Sequence, residues 1–353
     1  MLDALRKFPA SMLTLSTCLA ACSEAESPSP PVNALQLKGT HNSYHVASTP
    51  PADPLLAYEH APLDVQLEAQ RVRHFELDAH VDPTTGVLRV YHILGGDPLS
   101  HCATLTACVG ELRAWSALHP RHLPLFVLIE TSDELPRLVG CCDADSECDL
   151  VALGEACWPG HAASIDDAIL AVWPRADIVT PDDVRGARGT LRDAVTTDGW
   201  PTLDAARGKA FFVINDGGAV REEYRGERGD LSGRVCFTTA EPGDADAAFV
   251  KRDDPSCGAP GGAERGCEIE ALVRAGFIVR TRADSDFVPD LPKWTRALAS
   301  GAQLLSTDVP TREQGNGTAF EIPDTSGAPA LARCNPVLVG TSVACAESAL
   351  REP

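Results

Sequence analysis

Leu125-Phe126-Val127-Leu128-Ile129-Glu130 is an unbroken apolar run that ends on a carboxylate. Such a run reads as a strand buried on both faces, and the closing charge marks where it leaves the core. The pattern recurs along the chain at Leu35–His41, His74–Asp78, Phe211–Asp216, Ala247–Lys251, Phe277–Arg282 and Leu304–Asp308. Stretches of helical character lie between several of these runs, among them Ile165–Trp173 and Trp294–Ala299. Short buried strands alternating with helices predict an α/β fold on a parallel sheet. About seven strands over roughly 320 residues suit a (β/α)₈ barrel better than a two-domain protein. The predicted barrel domain spans residues 34–353, with some irregularity and with disulfide-stapled loops. In such barrels chemistry collects at the C-terminal ends of the strands. His41, Asn42, Glu76, Asp78, Glu130 and Asp216 all fall at run ends.

The composition narrows the function classes. With 353 residues, 44% of them hydrophobic, the chain can bury a large core, which excludes a fibre or a disordered chain. A formal charge of −20 would repel phosphate backbones, so no nucleic-acid partner is expected. No obligate protein partner is evident either. Thirteen cysteines point to an oxidising compartment. Cys102/Cys108, Cys257/Cys267 and Cys334/Cys345 are close in sequence, and Cys141, Cys142, Cys148 and Cys157 could form two further local bridges. Cys236, inside Val235-Cys236-Phe237, is left as a buried free thiol. No CxxC pair exists, so loop stapling is favoured over zinc. The acidic segment Asp143–Asp149 lacks the glycine and the terminal glutamate of a calcium loop and reads as a stapled acidic loop.

The first residues point to export. Arg6 and Lys7 precede an apolar stretch, Met12–Ala21, too short to span a bilayer as a helix. It ends Leu19-Ala20-Ala21-Cys22, which resembles the lipobox of bacterial lipoproteins. The resemblance implies removal of residues 1–21, acylation of Cys22, and a Pro/Ser-rich tether over residues 22–33. The expected location is then the cell envelope, on a membrane through the lipid. An ordinary signal peptide cleaved near Ala21 would instead give a secreted protein.

The carboxylates form a constellation. In a strand, residues i and i+2 share a face, so Glu76 and Asp78 aim at one point while Leu77 packs behind. Glu130 brings a third carboxylate. Val90-Tyr91-His92 follows a turn expected at Asp82-Pro83-Thr84-Thr85-Gly86. The carboxylates converge with no Lys or Arg expected beside them, so they call for a hard divalent cation. Asn42 would add a neutral oxygen. Oxygen-only ligation favours Ca²⁺, with Mg²⁺ second. His41 and His92 flanking the cation suit paired acid and base work near neutral pH.

At these residues the chain resembles a family. Gly39-Thr40-His41-Asn42-Ser43-Tyr44-His45, followed by Phe75–His80, Val90–His92 and Leu125–Glu130, is similar to the calcium-dependent phosphoinositide-specific phospholipases C, members of the PI-PLC-like phosphodiesterase TIM-barrel superfamily. Gly301–Asp308 resembles their last barrel strand. The resemblance implies that His41 acts as general base on the inositol 2-hydroxyl and His92 as general acid toward the diacylglycerol oxygen. It also implies that Asn42, Glu76, Asp78 and Glu130 hold Ca²⁺. The product would be inositol 1,2-cyclic phosphate.

The substrate side is thinner. The whole chain has five lysines, which favours unphosphorylated phosphatidylinositol over its polyphosphates. Arg282 could hold a phosphate, or form an ion pair with Asp284 or Asp286. Asn215 and Asp216 could bond ring hydroxyls or cap the next helix. His80 shares the face of Asp78 and could stand behind the ligands. His45 could line the mouth or simply pack. Two rival classes remain. One is a glycerophosphodiesterase or sphingomyelinase D-like enzyme on the same barrel. The other is a ligand-binding surface lipoprotein without catalysis.

Overall fold

The computed structural model describes residues 29–131, 141–142, 149–256, 267–339, 341 and 344–353. Cys22 with the export segment, Cys148, Cys257 and residues 143–148 lie outside the described residues. The apolar runs pair as parallel strands because both of their faces can then be covered. In chain order these are β1 (Leu35–Thr40), β2 (Val72–Val81), β3 (Leu88–Val90), β4 (Leu125–Thr131), β5 (Ala210–Ile214), β6 (Phe237–Thr238), β7 (Phe249–Lys251), β8 (Ile278–Arg282) and β9 (Leu304–Thr307).

Their order across the sheet is β6-β5-β4-β2-β1-β9-β8-β7. A parallel bridge between Thr239 and Phe249, with Ala240 N–H donating to the Phe249 carbonyl at 3.0 Å, brings the two ends together. The result is an eight-stranded, nearly closed TIM-type barrel with helices between strands. β3 is an excursion, antiparallel to the far end of β2. The strand Ala332–Cys334 adds antiparallel to β1. Among the barrel strands of the described residues, β6 is absent from the apolar runs that predict strands, because it is only two residues long.

Strand alternation builds the interior in layers. Phe126 and Glu130 share a face of β4, Phe211 and Asn215 continue one face of β5, and Phe249 and Lys251 one face of β7. Phe126, Phe211, Phe237 and Phe249 pack on one another with centroids 4.8–6.5 Å apart. This aromatic floor is apolar, and the polar ends of the same strands stand above it.

β1 and β2 approach closely because Gly39 has no side chain. A Cβ there would lie 2.0 Å from Nδ1 of His74, its register partner. His74 is fully buried without a hydrogen-bond partner on either ring nitrogen, and burial drives its pKa down to about 3, so it packs as a neutral ring. Gly39→Ala is expected to destabilise the fold by about 1–3 kcal/mol through overpacking. Urea unfolding measures it, and His74→Ala in the same chain should relieve most of the loss. An unchanged midpoint would show that the strands can part cheaply.

Disulfides Cys102–Cys108, Cys142–Cys157 and Cys334–Cys345 close loops, and Cys236 is a buried free thiol. No helix among the described residues is long and apolar enough to cross a membrane.

Candidate active site

Register places the carboxylates. Asp78 on β2 lies opposite Glu130 on β4, and Glu76 stands one pleat below Asp78 on the same face. Carboxylate oxygens of Glu76, Asp78 and Glu130 all lie within 4.8 Å of one another. Tyr44 donates its hydroxyl to Asp78 Oδ2 at 2.8 Å, while Asp78 Oδ1 is buried with no partner. Burial, then the charges of Glu130 and Glu76, push the Asp78 carboxyl far above the usual range.

Two cations stand against this cluster, contrary to the expectation of none. Arg280 on β8 donates through Nη2 to Glu76 Oε2 at 2.6 Å, and both side chains are buried. Its Nη1 bonds Asp253. Burial would raise the Glu76 carboxyl, but the Arg280 guanidinium, with His41 and Lys251, overrides it and holds it at about 2. Lys251 Nζ lies 3.8 Å from Glu130 Oε2. These partners come from β7 and β8, far in sequence, so the local pattern around Glu76 gave no sign of them. The signal that existed was Arg280-Thr281-Arg282, whose alternation puts two guanidinium groups on one inward face.

His41 closes β1. Its Nδ1 lies 3.0 Å from Asp308 Oδ1, and its Nε2 lies 3.5 Å from Glu76 Oε1. Arg282 Nη2 donates to Asp308 Oδ2 at 2.7 Å and also lies 3.3 Å from His41 Nδ1. A guanidinium only donates, and an ionised carboxylate only accepts. Asp308 therefore takes a bond from each, which puts a proton on His41 Nδ1 and leaves Nε2 as the basic nitrogen. Burial would raise Asp308, but the hydrogen bond and charge of His41, with Arg282, hold it below its ordinary value. Arg282 thus pairs with Asp308, not with Asp284 or Asp286. Asp284 instead accepts from Asp308 N–H and the Thr307 hydroxyl, anchoring the strand end.

Asn42 takes a left-handed backbone, φ 48°, which asparagine tolerates. Its amide nitrogen donates to Tyr58 Oη at 3.1 Å, which turns the amide oxygen the other way. Tyr58 stacks on His45, centroids 3.8 Å apart. His45 Nε2 lies 2.6 Å from Asp97 Oδ2, and the same oxygen is 2.9 Å from His92 Nδ1. His41–Asn42 and His92 are thereby joined through Tyr58, His45 and Asp97.

The remaining site expectations meet different surroundings. His80 is buried, stacked on Tyr91 at 3.9 Å, with Nδ1 3.1 Å from Glu155 and Nε2 2.8 Å from the Tyr91 carbonyl. Both nitrogens are occupied, so it braces β2 against β3 rather than meeting the carboxylates. Asn215 donates to Glu130 Oε2 at 3.1 Å, holding a carboxylate in place. Asp216 caps no helix; its Oδ2 accepts from the Thr131 N–H and hydroxyl, tying β5 to β4. Burial, then Glu130, raise its pKa to about 7. A cavity of about 350 Å³ opens beside Glu130, lined by Asn215, Asp216, Arg221, Lys251, Arg252 and Asp253 among others. A larger one of about 740 Å³, at Glu222–Gly229 and Gly243–Ala245, shares no lining residue with the carboxylates.

The donor set fits calcium. Its charged members are hard oxygens within 4.8 Å of one another, and Asp78 Oδ1 is buried without a hydrogen-bond partner, while Arg280 and Lys251 offset the charge of Glu76 and Glu130 only. Glu76, Asp78 and Glu130, with the Asn42 amide oxygen, would hold it.

The chain matches the family "Phosphoinositide phospholipase C, Ca2+-dependent" over residues 31–88 and 86–336. A search of curated proteins finds no match. Among solved structures it is similar to the calcium-dependent phosphoinositol-specific phospholipase C from a Gram-negative bacterium, Pseudomonas sp, in a myoinositol complex. Identity there is 16%, over 79% of this chain and 90% of that one, with a TM-score of 0.53. It is also similar to the Ca²⁺-dependent phosphatidylinositol-specific phospholipase C of Streptomyces antibioticus, at 16% identity over 82% of this chain and 98% of that one, with a TM-score of 0.56. At these identities the structural likeness speaks for the fold, while the family match spans most of the sequence. The chain belongs to the Ca²⁺-dependent phosphoinositide phospholipase C family, and with it to the phosphodiesterases.

Proposed function

We propose that the protein cleaves phosphatidylinositol, or a closely related inositol phosphodiester, to diacylglycerol and inositol 1,2-cyclic phosphate. The observation that carries this reading is His41, fixed by Asp308 through Nδ1, with Nε2 facing the edge of a three-carboxylate cluster 3.5 Å from Glu76 Oε1. His41 Nε2 takes the proton of the ring 2-hydroxyl as its oxygen forms a bond to phosphorus. The phosphorus–oxygen bond to glycerol breaks, and His92 supplies a proton to the departing oxygen. Calcium, when bound, supplies positive charge for the attacking hydroxyl and the phosphoryl oxygens. Asp308 compensates the charge that develops on the His41 ring.

The cations of the mouth support an unphosphorylated headgroup. Arg280, Arg282, Lys251 and Arg252 are each engaged by carboxylates, which leaves them poor receptors for extra ring phosphates. The cavity beside Glu130 offers Asn215 and Asp216 to ring hydroxyls. The decisive experiment incubates purified protein with phosphatidylinositol, with Ca²⁺, with Mg²⁺ and with chelator, and identifies the phosphorus products. Cyclic inositol phosphate formed only with Ca²⁺ supports the reading. Glycerol 3-phosphate or a ceramide phosphate from the matching lipids would move the assignment to the rival phosphodiesterases. Binding without turnover would favour a non-catalytic role.

We further propose attachment to a membrane through acylated Cys22, on the strength of Leu19-Ala20-Ala21-Cys22. Two or more acyl chains hold a protein stably without a basic patch. Cys22→Ser should move the protein from the membrane to the soluble fraction. An unchanged membrane fraction would reject the anchor.

A further inference from the structure

We propose that Asp97, held from behind by His45, is a positioning residue that presents His92 as a proton donor through Nε2. The inference rests on His92 being the general acid. Nothing in the residue pattern singled out Asp97, because its role comes from a turn and a buried partner.

The turn is Ile93-Leu94-Gly95-Gly96-Asp97. Ile93 N–H donates to the Asp97 carbonyl at 3.1 Å, and Asp97 N–H to the Ile93 carbonyl at 2.7 Å. Gly95 takes φ 77°, open to glycine without strain. This folds Asp97 back beneath His92. There its side chain is fully buried, and Oδ2 lies 2.9 Å from His92 Nδ1 and 2.6 Å from His45 Nε2.

One oxygen facing two imidazoles restricts the protons. An ionised carboxylate only accepts, so both facing nitrogens carry hydrogen. The neutral His92 ring is then the Nδ1–H form, so the proton that the imidazolium gives up is the one on Nε2, at the far edge of the ring. When His92 carries both protons, the buried carboxylate faces its charge directly. The other Asp97 oxygen, Oδ1, is buried without a partner, so the contact to two rings is the side chain's whole polar commitment.

His45 acts as the backstop. It is fully buried, and its Nδ1 has no hydrogen-bond partner, so its one side-chain hydrogen bond goes to Asp97. Tyr58 stacks on the ring at 3.8 Å, and Phe287 from the loop after β8 stacks with Tyr58 at 3.6 Å. The carboxylate therefore cannot swing away from His92 without disturbing this stack.

The test compares two inositol phosphodiesters that differ in their leaving group. Glycerophosphoinositol expels an alkoxide and needs a proton; the p-nitrophenyl ester expels a stable phenolate and hardly needs one. With Asp97→Asn, kcat on the glycerol ester should fall about 10²–10⁴-fold at little changed KM, while the nitrophenyl ester is largely spared. Equal loss on both esters, no loss on either, or a change confined to KM would overturn the proposal. Failure of the wild-type protein on both would instead reject the proposed function. A second measurement does not depend on the variant folding. Ring ¹⁵N resonances of wild-type His92 should show the neutral ring protonated at Nδ1. A neutral ring protonated at Nε2, or an Nδ1 that a metal ion has taken, would overturn the assignment.

Discussion

Replacing His41 by alanine should cut turnover by about 10²–10⁴-fold and leave the barrel and its response to calcium almost unchanged. The structure separates these effects. His41 sits where β1 ends, with its side chain 22% exposed, so truncation opens no sealed cavity. Asp308 is not orphaned by the loss, because Arg282 stays 2.7 Å from its Oδ2. Glu76 likewise keeps Arg280 at 2.6 Å. No charged group is stranded in the interior, so the large penalty for a broken buried pair does not arise. What disappears is the Nε2 that the proposed reaction uses to accept the hydroxyl proton. Steady-state kinetics on a water-soluble inositol phosphodiester, beside a thermal melt in calcium, checks both halves. An unchanged rate would remove His41 from the chemistry. A collapsed melt would make it a structural residue.

Much of the barrel was legible because parallel strands buried on both faces announce themselves as apolar runs. Leu125–Glu130 and Leu304–Asp308 each became a strand within a residue of the expected ends. β6 was not legible, since two residues of pairing cannot carry a pattern. β2 runs to Val81, well past Asp78, because β3 pairs with its far end, and that pairing depends on the Asp82–Gly86 turn. There Asp82 accepts from Thr84 and Thr85 backbone N–H groups and Gly86 takes φ 69°.

The carboxylates were legible for a local reason: alternation within one strand places Glu76 with Asp78. The groups that tune them were not. Arg280 reaches Glu76 across 204 positions, and Asp308 reaches His41 across 267. Such partners are chosen by the strand order of the barrel, which sets β9 beside β1 and β8 beside β9, so that their inward side chains reach His41 and Glu76. Arg282 shows the same limit in reverse. Local spacing suggested Asp284 or Asp286, yet the partner on the neighbouring strand end, Asp308, is the one within reach. His80 kept the strand face expected of it but lies at the end of β2 that β3 and Glu155 cover.

Asp78→Asn should act in opposite directions with and without calcium. In the calcium-free protein Asp78 is buried beside Glu130 and Glu76, and burial first, then those charges, lift its pKa well up. A carboxyl raised in the folded state holds its proton more tightly there than when unfolded. Its favourable contribution is complete below the unfolded pKa of about 3.9 and is lost as pH rises through the folded value. At neutral pH this residue therefore weakens the calcium-free fold, and the weakening is greater than at mildly acid pH. Asparagine has no proton to lose. The calcium-free variant should be at least as stable as the wild type at neutral pH, and less of its stability should be lost on going from acid to neutral. Adding calcium reverses the order. A ligand at 100 times its dissociation constant stabilises by about 2.7 kcal/mol, and the wild type should show a rise of that kind. The variant lacks one charged oxygen, so the same calcium gives a smaller rise, recovered in part by excess metal. Melting curves in chelator and across a calcium series, at neutral and mildly acid pH, read all of this without a substrate. A variant that gains as much from calcium as the wild type would remove Asp78 from the cation site, and one less stable than the wild type in chelator would mean that the hydrogen bond from Tyr44 to the Asp78 carboxylate outweighs its burial and the charges of Glu130 and Glu76.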